Sequence, residues 1–199
     1  MDVKSYKLNI SDYRAIASLH CNHINQSFLA TLGIPFLALL YEAIDEDSES
    51  VLIVDRVDHS VVGFVTGTSG LGRIYKRILL KPFRLIYSLK SCILSPSKIY
   101  KIIELLLITK VNDISSDLPK QELLSIAVNP NYQGGGHAER LFKALCSHFK
   151  EEGASSFSIV VGSNLDRARA FYIKMGCMPV KEIEIHKGAV SVVYVKDLS

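Results

Sequence analysis

The segment that most constrains this chain runs from Leu123 to Ala138. An apolar run, Leu123 to Val128, is cut off by Asn129-Pro130-Asn131, and three consecutive glycines, Gly134-Gly135-Gly136, then open an amphipathic stretch. Proline cannot donate to a sheet ladder and asparagine favours turns, so a strand must end there. Leu141, Leu145, Cys146 and Phe149 recur at helical spacing, which predicts a helix from about Gly135 to Glu152, stopped by Gly153. A strand that enters a helix through a glycine turn leaves several backbone N–H groups without a helical partner. Those donors suit anionic oxygens, and the helix dipole favours negative charge at this end. A flexible connector is the plainer reading of the same glycines. Two common phosphate loops are excluded: no Lys-Ser or Lys-Thr follows the glycines, and there is no G-x-G-x-x-G after a first strand.

The rest of the pattern is built around this unit. Val3 to Ile10 alternates loosely and reads as a first strand, and Ser11 and Asp12 offer caps for a helix through Ala15, Ile16 and Leu19. After Gly33, Pro35 starts a second helix whose face carries Phe36, Leu37, Leu40, Tyr41 and Ile44. Val51 to Val54 and Val61 to Val65 read as an antiparallel hairpin at the centre of a sheet. Helical spacing then occupies Gly70 to about Asp117, an insertion. Phe157 to Val161 is a strand and Asp166 to Met175 a helix closed by Gly176. Pro179 to Ile185 pairs with Val190 to Val195 across Lys187-Gly188. The order calls for an α/β sandwich around a mixed sheet, a single domain over 1–199 interrupted by the helical insertion at about 70–117.

Composition narrows the partners. The chain has 199 residues, 48% hydrophobic and 22% charged, enough for a substantial core. A net charge of +3 is too small to announce a nucleic-acid binder, and none is expected as partner. Within the insertion, Arg73, Lys76, Arg77, Lys81, Arg84, Lys90, Lys98 and Lys101 have no acidic residue between them and interleave with Ile74, Ile78, Phe83 and Ile86. That is a basic amphipathic surface, open to four readings: a solvated helix face, a phosphate contact, an oligomer contact or a weak membrane-surface contact. Cys21, Cys92, Cys146 and Cys177 are far apart and show no metal-ligand spacing, so free thiols and no metal are expected. The N-terminus lacks an apolar stretch behind a basic start. The greasiest run, Ile99 to Ile108, is broken by Lys101 and Glu104, so a cytoplasmic location is expected.

Leu124 through Ala138 resembles the central motif of the GCN5-related N-acetyltransferases, Q/R-x-x-G-x-G/A, with Gln133, Gly136 and Ala138 at its fixed positions. Downstream, Asn164 followed by Ala168, Phe171, Tyr172, Met175 and Gly176 resembles the family's second motif, with Tyr172 one residue further from the asparagine than is common. The resemblance implies an α/β fold of GNAT type: a mixed central sheet with splayed strands, here Leu123 to Val128 and Phe157 to Val161, flanked by helices. It implies acetyl-CoA as cosubstrate, with the backbone of Ile126, Ala127 and Val128 holding the pantetheine arm and polarising the thioester carbonyl. Gln133, Gly134, Gly135, Gly136, His137 and Ala138 would hold the diphosphate, Asn164 would contact the arm, and Tyr172 would stand near the sulfur. Tyr172 suits the acid role, since a phenol of pKa about 10 and a thiol of about 8.5 exchange a proton at little cost. Packing of a helix on the sheet is its structural alternative.

The base is less apparent, because the strand position that carries a glutamate in some members of the family is Ile159. Glu122 is the nearest carboxylate candidate, acting directly or through water, although a strand-end glutamate can also be simply solvated. The acceptor is expected to be a small-molecule amine that attacks the thioester directly. His20, His23, Asn25, Gln26 and Ser27, together with the insertion, are placed to shape its pocket. Ser27 to Gly33 with Phe36-Leu37 and Leu40-Tyr41 is similar to bacterial acetyltransferases of amino-sugar and surface-polysaccharide pathways. That makes a nucleotide-linked amino sugar the first choice, ahead of a protein amine or polyamine. A non-catalytic acyl-CoA sensor is the competing class.

Overall fold

The computed structural model describes residues 7–24, 28–90, 118–186 and 189–199. Helix α1 (Ile10–His23) starts one turn earlier than Ser11 and Asp12 would start it as caps. Asn9 is the cap: its side chain accepts from the amides of Ser11 and Asp12, and Asp12 returns a hydrogen bond to the Asn9 amide. Of the expected first strand, residues 7–9 are irregular and Ile10 is already helical, while residues 3–6 lie outside the described part. After a short 3-10 turn (Phe28–Leu32), α2 (Ile34–Asp45) begins behind Gly33 with proline in its first turn. It is apolar nearly all round, and seven of its residues are buried, because it packs between the sheet and later helices.

Strands β1 (Ser50–Val57) and β2 (Ser60–Thr68) form the expected hairpin. Asp58 and His59 both take positive φ in its two-residue turn, a backbone that matches the twist of the strands. The hairpin lies at the sheet margin, with β1 as the edge strand. The centre belongs to β3 (Glu122–Val128) and β4 (Ser156–Gly162), and the order is β1-β2-β3-β4-β6-β5. A β-branched run predicts pairing but says nothing about which strand takes the second edge. The last hairpin is β5 (Met178–His186) with β6 (Ala189–Asp197).

Strand alternation separates two cores. Leu52, Val54, Phe64 and Ala127 face α1, α2 and Ile74, while Val51, Ile53, Val65, Leu123 and Val128 face Leu141, Leu145 and Phe149 of α5 (His137–Glu151). Gly67 lets α5 close onto the sheet, since a Cβ there would stand 2.5 Å from the Phe149 ring. Helix α6 (Asp166–Lys174) covers the same face beside β4 and β6.

The insertion begins as expected, with α3 (Leu71–Leu79) and α4 (Pro82–Ser88); its residues 91–117, with Lys98 and Lys101, lie outside the described part. Four of the eight cations of its basic stripe are paired internally. Arg73 and Arg77 reach Asp47 at 3.2 and 3.4 Å, Lys81 reaches Glu42 and Glu46, and Arg84 pairs with Glu42. The carboxylates come from α2 and the turn after it, so the cations that lack acidic neighbours in sequence acquire them by docking. Asp47 is the buried centre of this knot, its side chain only 1% exposed.

Candidate active site

The sheet opens at its middle. Strands β3 and β4 run parallel and pair only at Glu122 with Ser158 and Leu123 with Ile159, after which they diverge. At the same point β3 carries a bulge. Thr66 of β2 lies opposite Ser125 and Gly67 opposite Leu123, so Leu124 is an extra residue with no partner. The bulge changes the facing of the strand: Glu122, opposite Thr68, and Ser125, opposite Thr66, point to the same face although they are three residues apart. Beyond Leu123, the edge of β3 turned toward β4 has lost its ladder partner. Its alternate N–H and C=O groups are left to bond something inserted there.

A cleft of about 780 Å³ occupies the fork. Its walls are Leu123 to Val128, Val160 and Val161, the glycine turn, and Asn164 to Ala168 with Phe171 and Tyr172. His23 and Ile24 at the end of α1 close it on the opposite face. The opening thus passes between the strands and communicates with both sides of the sheet. Of the residues singled out in the sequence, Ile126, Ala127, Val128, Gln133, Gly134, Gly136, His137, Ala138, Asn164 and Tyr172 line it; Gly135 and Glu122 do not.

The glycine turn is shaped by backbone demands. Gly134 and Gly136 have φ of +83° and +76°, and Gly136 is the N-cap of α5 with no side chain covering the first-turn amides. Those amides, at the positive end of the helix dipole, face the cleft. Gly135 points its carbonyl away, accepting from Arg140 Nη1 at 3.1 Å. Asp55 of β1 anchors the turn from below: its carboxylate lies 2.9 Å from Nδ1 of His137 and 3.2 Å from Nη2 of Arg140. Gln133 donates to the carbonyl of Val128 and accepts from Arg167, which links the two loops across the cleft.

Tyr172 is held by aromatic contacts to Phe142, Phe171 and Tyr194 and is 5% exposed. Burial, with a smaller contribution from Cys177, raises its phenol well above the ordinary value, so it is fully protonated at neutral pH. Glu122 is no solvated strand end. It is half-buried at the root of the fork, and burial raises its carboxyl above the usual range. Tyr75 of α3 feels its charge.

A polar chain lies beneath the α1 face of the fork. His20 Nδ1 is 2.5 Å from the Tyr41 hydroxyl, which is 3.4 Å from Ser125 Oγ, and Ser125 Oγ is 2.8 Å from Thr66 Oγ1. Tyr41 is buried, as is His20 at 4% exposure, and burial lowers the His20 pKa to about 4. His20 Nε2 has no hydrogen-bond partner. Thus His20 belongs to the core and His23 to the cleft, while Asn25, Gln26 and Ser27 lie outside the described residues.

The sequence profile described as the acetyltransferase (GNAT) family matches residues 20–177, which takes in the fork, the glycine turn and Tyr172. The chain belongs to that family. No curated protein matches it. Solved structures of similar fold include an N-acetyltransferase from Staphylococcus aureus Mu50, with a TM-score of 0.62, 15% identity, and coverage of 98% of this chain and 97% of that one. An aminoglycoside 6'-N-acetyltransferase complexed with coenzyme A has a TM-score of 0.62 at 11% identity, over 100% and 98% of the two chains. The ribosomal-protein-S18-alanine N-acetyltransferase from Escherichia coli has a TM-score of 0.57 at 12% identity, over 98% and 92%. The GNAT fold, a six-stranded mixed sheet flanked by helices, is common to them. Among the described residues no group of three or more His, Cys, Asp or Glu could hold a metal, and no helix is long and apolar enough to cross a membrane.

His23, expected to help shape the acceptor pocket, lines the cleft, whereas three other residues of this acetyltransferase's cleft region carry no mark in the linear sequence. Arg167 and Asp55 act across 34 or more residues. Ser125 lies inside the central motif, but only the bulge shows which face it takes.

Proposed function

We infer that the protein transfers an acetyl group from acetyl-CoA to an amine by direct attack. The observation that carries this reading is the fork itself. One face of the opening presents uncapped helix amides at Gly136 to Ala138, suited to a diphosphate, and the other presents Ser125, with Glu122 on the same face of β3 at the root, just outside the cleft lining. An extended pantetheine arm entering between β3 and β4 would replace the missing strand, bonding the backbone at Ile126 to Val128 and leaving the thioester at the root. An N–H of β3 then polarises the carbonyl, where a preorganised donor lowers the barrier.

In the transfer, the amine nitrogen bonds to the carbonyl carbon and the carbon–sulfur bond breaks. Glu122 takes the proton leaving the nitrogen, directly or through water, its raised pKa bringing it nearer the working range of a base. Tyr172, protonated before the transfer, donates to the departing sulfur, and its burial-raised pKa makes that donation costlier than the matched exchange of an ordinary phenol. Solvent resets both groups. As acceptor, a nucleotide-linked amino sugar is the first class to try, followed by polyamines and protein N-termini. Within the basic stripe of the insertion, Arg73, Arg77, Lys81 and Arg84 are paired internally, which leaves the exposed Lys76 as the better placed cation for a phosphate contact.

The test is thiol release from acetyl-CoA with amino sugars, polyamines, aminoglycosides and peptide N-termini. Tyr172→Phe is expected to lower kcat by roughly 100-fold or more with little change in the KM for acetyl-CoA. Full turnover in that variant removes the acid role. Binding of acetyl-CoA without thiol release across the whole panel would instead identify an acyl-CoA sensor.

A further inference from the structure

We propose that Ser125 positions the acceptor amine, accepting one of its N–H bonds, and that Tyr41 and His20 hold the Ser125 hydroxyl in the orientation this requires. The inference rests on the functional reading above and adds to it a specific acceptor contact.

The placement is set by the bulge. Because Leu124 is extra, Ser125 shares the face of Glu122, one strand repeat away, about 7 Å along the chain. An amine held at Ser125 has the hydroxyl beside it and the base one strand repeat toward the root, within reach of a bridging water. Ser125 lines the cleft, as do His23 and Ile24 above it, whereas the glycine turn belongs to the opposite face. The side chain therefore looks toward the acceptor entrance and away from the diphosphate site.

The hydrogen-bond inventory decides what Ser125 offers. A hydroxyl has one donor and two acceptor positions, and Tyr41 and Thr66 occupy two of the three. His20 fixes which two. Its Nε2 is buried without a partner, and a buried orphan N–H is a rarer and costlier defect than a bare lone pair. The favoured tautomer carries its proton on Nδ1 and donates to the Tyr41 oxygen. Tyr41 then directs its own proton to Ser125, and Ser125 directs its proton to Thr66. The position left at Ser125 is a lone pair facing the cleft. It suits a neutral amine, which has N–H bonds to give while its nitrogen lone pair attacks. Burial keeps His20 uncharged at neutral pH, so this direction of the chain persists through turnover.

Steady-state thiol release is measured on Ser125→Ala, Tyr41→Phe, their combination and Ser125→Thr, using the fastest acceptor among glucosamine, spermidine and an alanine-initiated peptide. Ser125→Ala is expected to raise the amine KM roughly three- to tenfold, the worth of one neutral hydrogen bond, while the KM for acetyl-CoA stays within twofold. Tyr41→Phe should shift the amine KM in the same direction, and the double variant should be no worse than Ser125→Ala alone, since the two act through one contact. Ser125→Thr keeps the hydroxyl and should restore the wild-type value. An unchanged amine KM in Ser125→Ala, an equal rise in both KM values, or no rescue by threonine overturns the inference while leaving the transferase reading intact. Wild-type protein that releases no thiol with any acceptor overturns both. Should Tyr41→Phe melt far below wild type, the alanine and threonine variants at 125 decide the matter alone.

Discussion

Lowering the pH through the slightly acidic range should destabilise the protein through one residue, His20. Its folded pKa is about 4, set by burial, against 6.5 when exposed. Above pH 6.5 both the folded and unfolded forms are neutral, and the full stability is present. Between 6.5 and 4 the unfolded chain binds a proton that the native state refuses, so stability falls as pH falls. Each unit of separation corresponds to about 1.36 kcal/mol, so the loss reaches about 2 kcal/mol at pH 5 and about 3 kcal/mol by pH 4, beyond which both states are protonated. The assay is urea unfolding of wild type and His20→Asn between pH 8 and pH 4.5. Asparagine can keep a donor near the Tyr41 hydroxyl but has nothing to titrate. Other groups contribute equally to both proteins, so the wild type should lose about 2 kcal/mol more than the variant between pH 7 and pH 5. Parallel curves, or a histidine that titrates near 6.5 in the folded state, would refute the reasoning. They would also remove the fixed tautomer on which the orientation of Ser125 depends.

Three further outcomes follow from geometry. Gly136→Ala should cost about 1–2 kcal/mol, because φ of +76° is unfavourable for a residue with a Cβ. That lowers the melting temperature by roughly 2–8 °C for a chain of this length, with Gly136→Asn milder, and calorimetry will show it. Asp47→Ala, which strips Arg73 and Arg77 of their buried partner, should cost about 2 kcal/mol, moderated by the partial exposure of both guanidinium groups, and urea titration measures it. Glu122→Gln should abolish the acidic limb of the pH profile of kcat/KM, since a base with a raised pKa loses function as pH falls through that value; a profile unchanged in shape would assign the limb to another group.

How much of this was legible in the sequence depended on the range of the interactions. The strand, glycine turn and helix from Leu123 to Glu151 could be read because each signal acts within a turn or two: Pro130 ends a strand, Gly136 starts a helix, Leu141 and Leu145 mark its buried side. The hairpin of β1 and β2 was readable for the same reason. Its place at the edge was not, because strand order depends on contacts made sixty residues later with β3. The charge of the insertion was legible only in part for a related reason. Arg73, Arg77, Lys81 and Arg84 have no acid near them in sequence, yet their carboxylates sit 24 to 42 residues upstream on and after α2. His20 and His23 are three residues apart and looked alike; one is a core residue bonded to Tyr41, the other a cleft residue. The capping box is half visible in sequence: Asp12 reads as a helix-start residue, whereas Asn9, which begins the helix, falls in a stretch that alternates like a strand.

The extra residue at Leu124 gives β3 a parity. Up to Leu123 the strand alternates in one phase, and from Ser125 onward in the other. Paired regularly into the ladder, Leu124 would send Glu122 and Ser125 to opposite faces of the sheet, because residues three apart alternate out of phase. Deleting Leu124 would instead leave the two residues two apart and on one face. What β3 must keep here is therefore the slip in register, and one leucine without an opposite number lets a spacing of three act as a spacing of two.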